Sequence, residues 1–196
     1  MDKRRLAVAT GIWFALVAAG AGLRIALVDW PNFAPVAALA LFAGFYFRRP
    51  LVAGLVPVTT MVASDLVIGG YHLPLMLTVY GALTAPTLLG LGLRRAGRLR
   101  AASSLTADGA GVVGCCLLSS IFFFLVTNFA VWATSSVYDG SWSSLMYCYA
   151  RAIPFFRYTL EGDLFFGVLV FGTYLVAVRS VAPAKSPAPA STIAAH

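Results

Sequence analysis

The sequence predicts an all-α fold, a polytopic bundle of about six transmembrane helices, and three observations carry that expectation. Of 196 residues, 60% are hydrophobic and only 11% charged, and the mean hydropathy is +0.87; a soluble domain is about half apolar and about a quarter charged. The apolar residues run in long blocks, not in the short alternating segments of an outer-membrane barrel. Basic residues cluster between those blocks, where membrane insertion places them. The net charge of +7 therefore does not imply nucleic acid, which would need a contiguous basic face.

The first span is expected over 6–23, where the 18 residues from Leu6 to Leu23 are uncharged, close to the roughly 20 needed to cross a bilayer. Its basic start and small residues near Ala19 also fit a signal peptide, but the many spans that follow favour a retained helix. Ala7, Gly11, Ala15 and Ala19 recur every four residues, a small-residue stripe that allows close helix approach. It serves either packing within the chain or docking of a partner protein.

A second span is expected over 33–47, short because Arg48 follows. Asn32 is placed to cap it, Pro35 sits harmlessly in its first turn, and Trp30 suits an interface. The helix start would then offer free amides to an anionic group. Further spans are expected over 51–68, 73–93, 110–134 and 164–178. The segment 145–156, LMYCYARAIPFF, is too short to cross and is broken by Arg151 and Pro154. It reads as an interfacial or re-entrant helix at the outer face. Residues 1–179 then form one membrane domain, and the Pro/Ala/Ser-rich 180–196 a disordered cytoplasmic tail.

With a cytoplasmic N-terminus, 11 of the 14 basic residues fall inside, from Lys3, Arg4 and Arg5 to Arg179 and Lys185. That orientation puts both termini in the cytoplasm of a bacterial inner membrane. Asp65, Asn128, Trp132 and Arg157 then share the outer level with Asn32. Ionisable groups within spans normally face partners or watery cavities, so these five residues are the candidate contacts of a small polar solute. Mutual structural pairing is the competing reading.

The sequence contains no Gly-x-x-x-x-Gly-Lys-Ser/Thr loop and no His-Glu-x-x-His motif, and its histidines are His72 and His196. No ATP hydrolysis, metal site, cofactor or enzyme activity is therefore expected of it. Ser64, Asp65 and His72 lack an activating motif. The three cysteines lie in apolar surroundings without metal-ligand spacing.

WPNFAPVAALALFAGFYFRRP, LVPVTTMVASDLVIG, FFFLVTNFAVW and CYARAIPFFRYTLEGDLFF resemble a bacterial integral membrane family, domain of unknown function 6580, across residues 20–175. That architecture is in turn similar to the substrate-binding S components of energy-coupling-factor (ECF) transporters. The similarity implies six spans, an outward pocket under outer loops, and a first-span alanine stripe that meets a transmembrane coupling subunit served by ATPases. It transfers no individual ligand contact, because no S-component ligand motif aligns here. The function expected is a membrane-embedded solute-binding subunit for uptake. A non-transporting membrane scaffold and an outer-surface membrane enzyme are the alternatives.

Overall fold

In the computed structural model, residues 2–99 and 103–181 are described. They form seven helical segments: α1 (Lys3–Ala26), α2 (Val36–Tyr46), α3 (Pro50–Ile68), α4 (Leu73–Thr84), α5 (Pro86–Arg95), α6 (Leu105–Thr134) and α7 (Trp142–Val181). No strand occurs among the described residues. α4 and α5 are two halves of one rod, Leu73–Arg95, broken at Ala85 because Pro86 has no amide to continue the ladder. Five rods are long and apolar enough to cross a membrane, and α2 is the shorter apolar helix. The outward faces of the rods carry large apolar side chains such as Phe14, Leu51, Leu66 and Leu88. A water-soluble globule would not expose such a belt. The protein is a multi-pass helical membrane protein.

α2 is the centre of the bundle. Ten of its 11 residues are buried, the pattern of a helix enclosed on all sides. It lies against α5, α3 and α7. Lipid gives helices no hydrophobic drive toward one another, so close backbone packing through small residues must hold them. Gly44 and Gly90 provide it. A Cβ on Gly44 would lie 2.0 Å from the Thr87 carbonyl oxygen, and one on Gly90 would lie 1.9 Å from that of Leu41. Beside this contact Phe42, Phe45, Phe171 and Tyr174 interlock edge to face, with Phe45 and Tyr174 centroids 5.2 Å apart.

α1 runs along the outside of this core and is tied to α3 by Trp13 Nε1, which donates to the Val52 carbonyl at 3.1 Å. Its stripe of Ala7, Gly11, Ala15 and Ala19 is exposed along its whole length. Packing within the chain therefore does not use it. The buried small residues of α1 are Gly20 and Ala21, with Gly20 against Leu39 and Thr60.

Several expected boundaries move. α2 starts at Val36, not at 33, and Asn32 does not cap it: the cap position is Pro35, with no side-chain bond. A residue before proline is pushed out of the helical region, so Ala34 ends the possibility of an earlier start. α6 begins at Leu105, ahead of the expected 110, because Ser104 caps it. The buried Asp108 carboxylate accepts the Leu99 amide at 3.0 Å.

The largest correction is at 145–156. That segment is no separate short helix but the first part of α7, which runs 40 residues through Pro154. At about 1.5 Å per residue such a helix is about 60 Å long, so part of it must extend beyond a hydrocarbon core of about 30 Å. Ser180 and Val181 also belong to α7. The rest of the expected tail, 182–196, lies outside the described residues.

Candidate functional site

The bundle has two unlike ends. Arg94 reaches back from α5 to the Phe47 carbonyl, and Arg179 Nη2 donates to the Ser103 carbonyl at 3.1 Å, tying together the end where α2 and α5 finish, where Tyr46, Arg94 and Tyr174 border an open surface groove. The other end holds the α2 start, and there the packing opens into two adjoining cavities.

The larger cavity has a volume of about 370 Å³ and is bordered by the α1 exit, the 27–35 link, α3, α4, α6 and α7. Its polar lining comprises Arg24, Asn32, Tyr71, Thr159 and Asp163, among apolar walls that include Phe33, Met61, Val79 and Phe123. The smaller one, about 220 Å³, shares Asn32, Val79, Phe123 and Thr159 with it and adds Thr127 and Asn128.

Asn32 reaches both cavities because the link turns sharply there. Its φ of 64° is left-handed, a conformation asparagine tolerates better than most residues. The Phe33 amide donates to the Trp30 carbonyl at 3.2 Å, closing the turn. On the far side, Gly162 lets α7 approach the Phe33–Ala34 backbone, where an added Cβ would lie 3.2 Å from the Ala34 nitrogen.

Asp65 borders neither cavity; it lies behind Arg24, which lines the larger one, in a closed network. Arg24, in the last turn of α1, pairs with Asp65 Oδ1 and donates to Ser64 Oγ. Tyr80 OH donates to Asp65 Oδ2 at 2.7 Å, and Ser64 Oγ is also bonded to the Thr60 carbonyl at 2.9 Å. Arg24–Asp65 is the one ion pair among the described residues. Tyr71, in the link between α3 and α4, has its phenol raised above the ordinary pKa by burial and then by the nearby Asp65 charge, with Arg24 opposing.

Of the five expected solute contacts, Asn32 and Asn128 line the cavities, and Asp65 lies one contact behind them through Arg24. Asn128 lines the smaller cavity while its Nδ2 donates to the Phe124 carbonyl at 2.8 Å. Trp132 and Arg157 are elsewhere. Trp132 Nε1 donates to Ser144 Oγ at 2.9 Å, tying α6 to the start of α7. Arg157 is exposed and lies over the Tyr158 ring, 4.5 Å from its centroid. The continuous α7 accounts for this, since helical rotation turns Arg157 outward while Thr159 and Asp163, on another face, turn inward.

The contact set drawn from the sequence omitted Arg24, Tyr80, Thr159, Ser120 and Asp163, although Asp163 stands at the same outer level as Arg157 in the sequence. The signal for Arg24 was present: an arginine ending an uncharged span, at the same depth as Asp65 two spans later, is a natural ion pair. Thr159 and Asp163, four residues apart, share one helical face, but this is visible only once 145–178 is read as one helix.

This is a polytopic membrane helix bundle with a polar cavity at one end of its central short helix. The chain belongs to the family of unknown function DUF6580, whose model matches residues 3–187. No curated protein matches it, and no solved structure does.

Proposed function

We propose that the chain is a membrane-embedded small-solute-binding subunit serving uptake, with energy from a separate ATPase module, in the manner of an ECF S component. The observation that carries this reading is the cavity of about 370 Å³ faced by Arg24, Asn32, Thr159 and Asp163 within an otherwise apolar bundle. Its volume falls in the range of small-molecule sites, about 300–1,000 Å³. Charged groups inside a membrane protein are expensive unless they face water, a partner or a ligand. In this reading the chain performs no catalytic step of its own, the cavity opens away from the cytoplasm of a bacterial inner membrane, and both termini are cytoplasmic. The exposed stripe Ala7, Gly11, Ala15 and Ala19 would meet a coupling subunit.

Native mass spectrometry of gently solubilised protein, paired with uptake assays in cells, tests the reading. A bound small molecule and co-purifying coupling and ATPase subunits are expected, with uptake reduced at least tenfold by Asn32→Ala. A bare, partnerless protein and unchanged uptake would sink it.

One observation favours a second reading, a non-transporting scaffold. The Arg24–Asp65–Ser64–Tyr80 network satisfies itself without a ligand. On that reading Asp65→Ala lowers stability and no solute restores it.

A further inference from the structure

Asp163, which lines the larger cavity, and Asp65, behind the Arg24 of its wall, are satisfied unequally. Asp65 has a guanidinium on one oxygen and a phenol on the other. Asp163 is only 4% exposed and accepts from Ser120 Oγ on Oδ2 at 2.6 Å. That hydroxyl has one proton and a second acceptor, the Cys116 carbonyl at 3.0 Å. Among the described residues, Asp163 has no basic side chain at salt-bridge distance and no hydrogen bond on Oδ1. A buried carboxylate is ordinarily paired or held neutral, and the cavity wall gives Asp163 no basic partner within salt-bridge distance.

The surroundings narrow what that counter-charge is. Ala34 and Val36, at the start of α2, border the same cavity, and a helix N-terminus supplies about half an elementary charge. That favours the ionised carboxylate without replacing a full cation. Trp30, Phe33, Tyr71 and Phe123 line the cavity, offering apolar area and aromatic rings that attract organic cations. No group of three His, Cys, Asp or Glu that could hold a metal exists among the described residues, and the volume suits a molecule, not a bare ion. Finally, Thr159 and Asn32 line the cavity with side-chain oxygens that have no hydrogen-bond partner among the described residues. With Asp163 Oδ1 they make three acceptors, the number an ammonium group can use.

We infer that the cavity takes a solute carrying one protonated amine on an apolar or aromatic body, with Asp163 as the counter-ion of the amine. The inference rests on reading the cavity as a solute site. Arg24 remains closed on Asp65, so Asp163 is the one acid of the lining left to pair with a solute, and an anionic solute of the same shape meets no free cation.

The test uses the full chain in lipid nanodiscs at low ionic strength, with thermal unfolding read against phenethylamine, phenethyl alcohol, 3-phenylpropionate and potassium chloride. Phenethylamine is expected to raise the unfolding temperature and to bind at least tenfold more tightly than the alcohol or the carboxylate, with potassium chloride inert. D163N should reduce the preference for amine over alcohol to less than twofold, and D163E should keep it. Equal binding of the alcohol or carboxylate, an equal shift from potassium chloride, or a preference retained in D163N overturns the amine assignment. Solute binding itself survives wherever an organic probe still binds. No response to any probe overturns both. Should D163N fail to fold, the wild-type ranking of amine over alcohol still decides.

Discussion

The two ends of the central helix α2 obey opposite rules. Toward Tyr46, it meets α5 backbone to backbone at Gly44 and Gly90, beneath an aromatic cluster. Toward Val36, the helix stops and an irregular link with polar neighbours borders open volume. The difference follows from length. Eleven residues make a rod of about 16 Å, roughly half a hydrocarbon core. Its neighbours continue past it, and the cavity occupies the space that further turns of α2 would have filled. The packed half fixes α2 so that the open half keeps its shape without a plug.

The most severe way to break this comparison is at the packed end. Gly90→Ala places a methyl group against the Leu41 carbonyl and the Phe45 amide, and neither is a side chain that can swing aside. Ordinary overpacking costs about 1–3 kcal/mol; this backbone clash should exceed about 3 kcal/mol and abolish the folded bundle. Gly92→Ala, two residues on with open space around it, should leave the unfolding temperature unchanged or slightly higher, since alanine favours helix. Equal stability of the two variants in thermal unfolding would refute the close packing of α2 on α5.

At the open end the next effect is electrostatic. Asp65→Ala strands Arg24, whose side chain is 18% exposed, and should destabilise by about 2–3 kcal/mol. The paired change Arg24→Ala with Asp65→Ala should recover much of that loss, because no unpaired charge remains. A double-mutant cycle measures this. A strictly additive result would mean that the pair is not coupled.

A smaller effect separates the cavity from the corner beside it. Trp132→Phe removes the indole bond to Ser144 and should cost about 1 kcal/mol. Binding at the cavity should be unchanged, because Trp132 borders neither opening. A loss of solute response in this variant would restore Trp132 to the site.

Much of the fold is legible in the sequence because lipid imposes simple rules: apolar length gives the rods, and charge between them gives the turns. The site is only partly legible. Asn32 and Asp65 stand out as polar residues at the ends of apolar blocks. Thr159 and Asp163 do not show which way they face, because that depends on α7 running unbroken through Pro154. A proline in a helix removes one hydrogen bond, and neighbouring helices in a bundle can hold the rod together across the gap. The Gly44–Gly90 contact was equally hidden. Glycine is frequent in membrane helices, and only the three-dimensional approach shows which of the 18 are needed.

The mildest prediction concerns the 135–141 link, which lies at the same end as the cavity but closes on itself. Ser141 donates to Asp139 Oδ1 from Oγ at 2.6 Å and from its amide at 3.0 Å. These bonds, the hydroxyl first, hold the Asp139 carboxyl down at about 2 from an ordinary 3.8. A depressed carboxylate pKa contributes stability that is complete above the unfolded value and disappears as pH falls through the folded one. The link should therefore hold above pH 3.8 and loosen progressively toward pH 2. Amide exchange at Ser141, corrected for its intrinsic pH dependence, reads this directly, and Ser141→Ala should move the onset of loosening up toward the ordinary value. Asp139 is fully exposed, so the change should stay within the link and leave exchange around Asn32 unaltered. A simultaneous loss of protection at both places would mean that the cavity wall and the α6–α7 corner open as one unit.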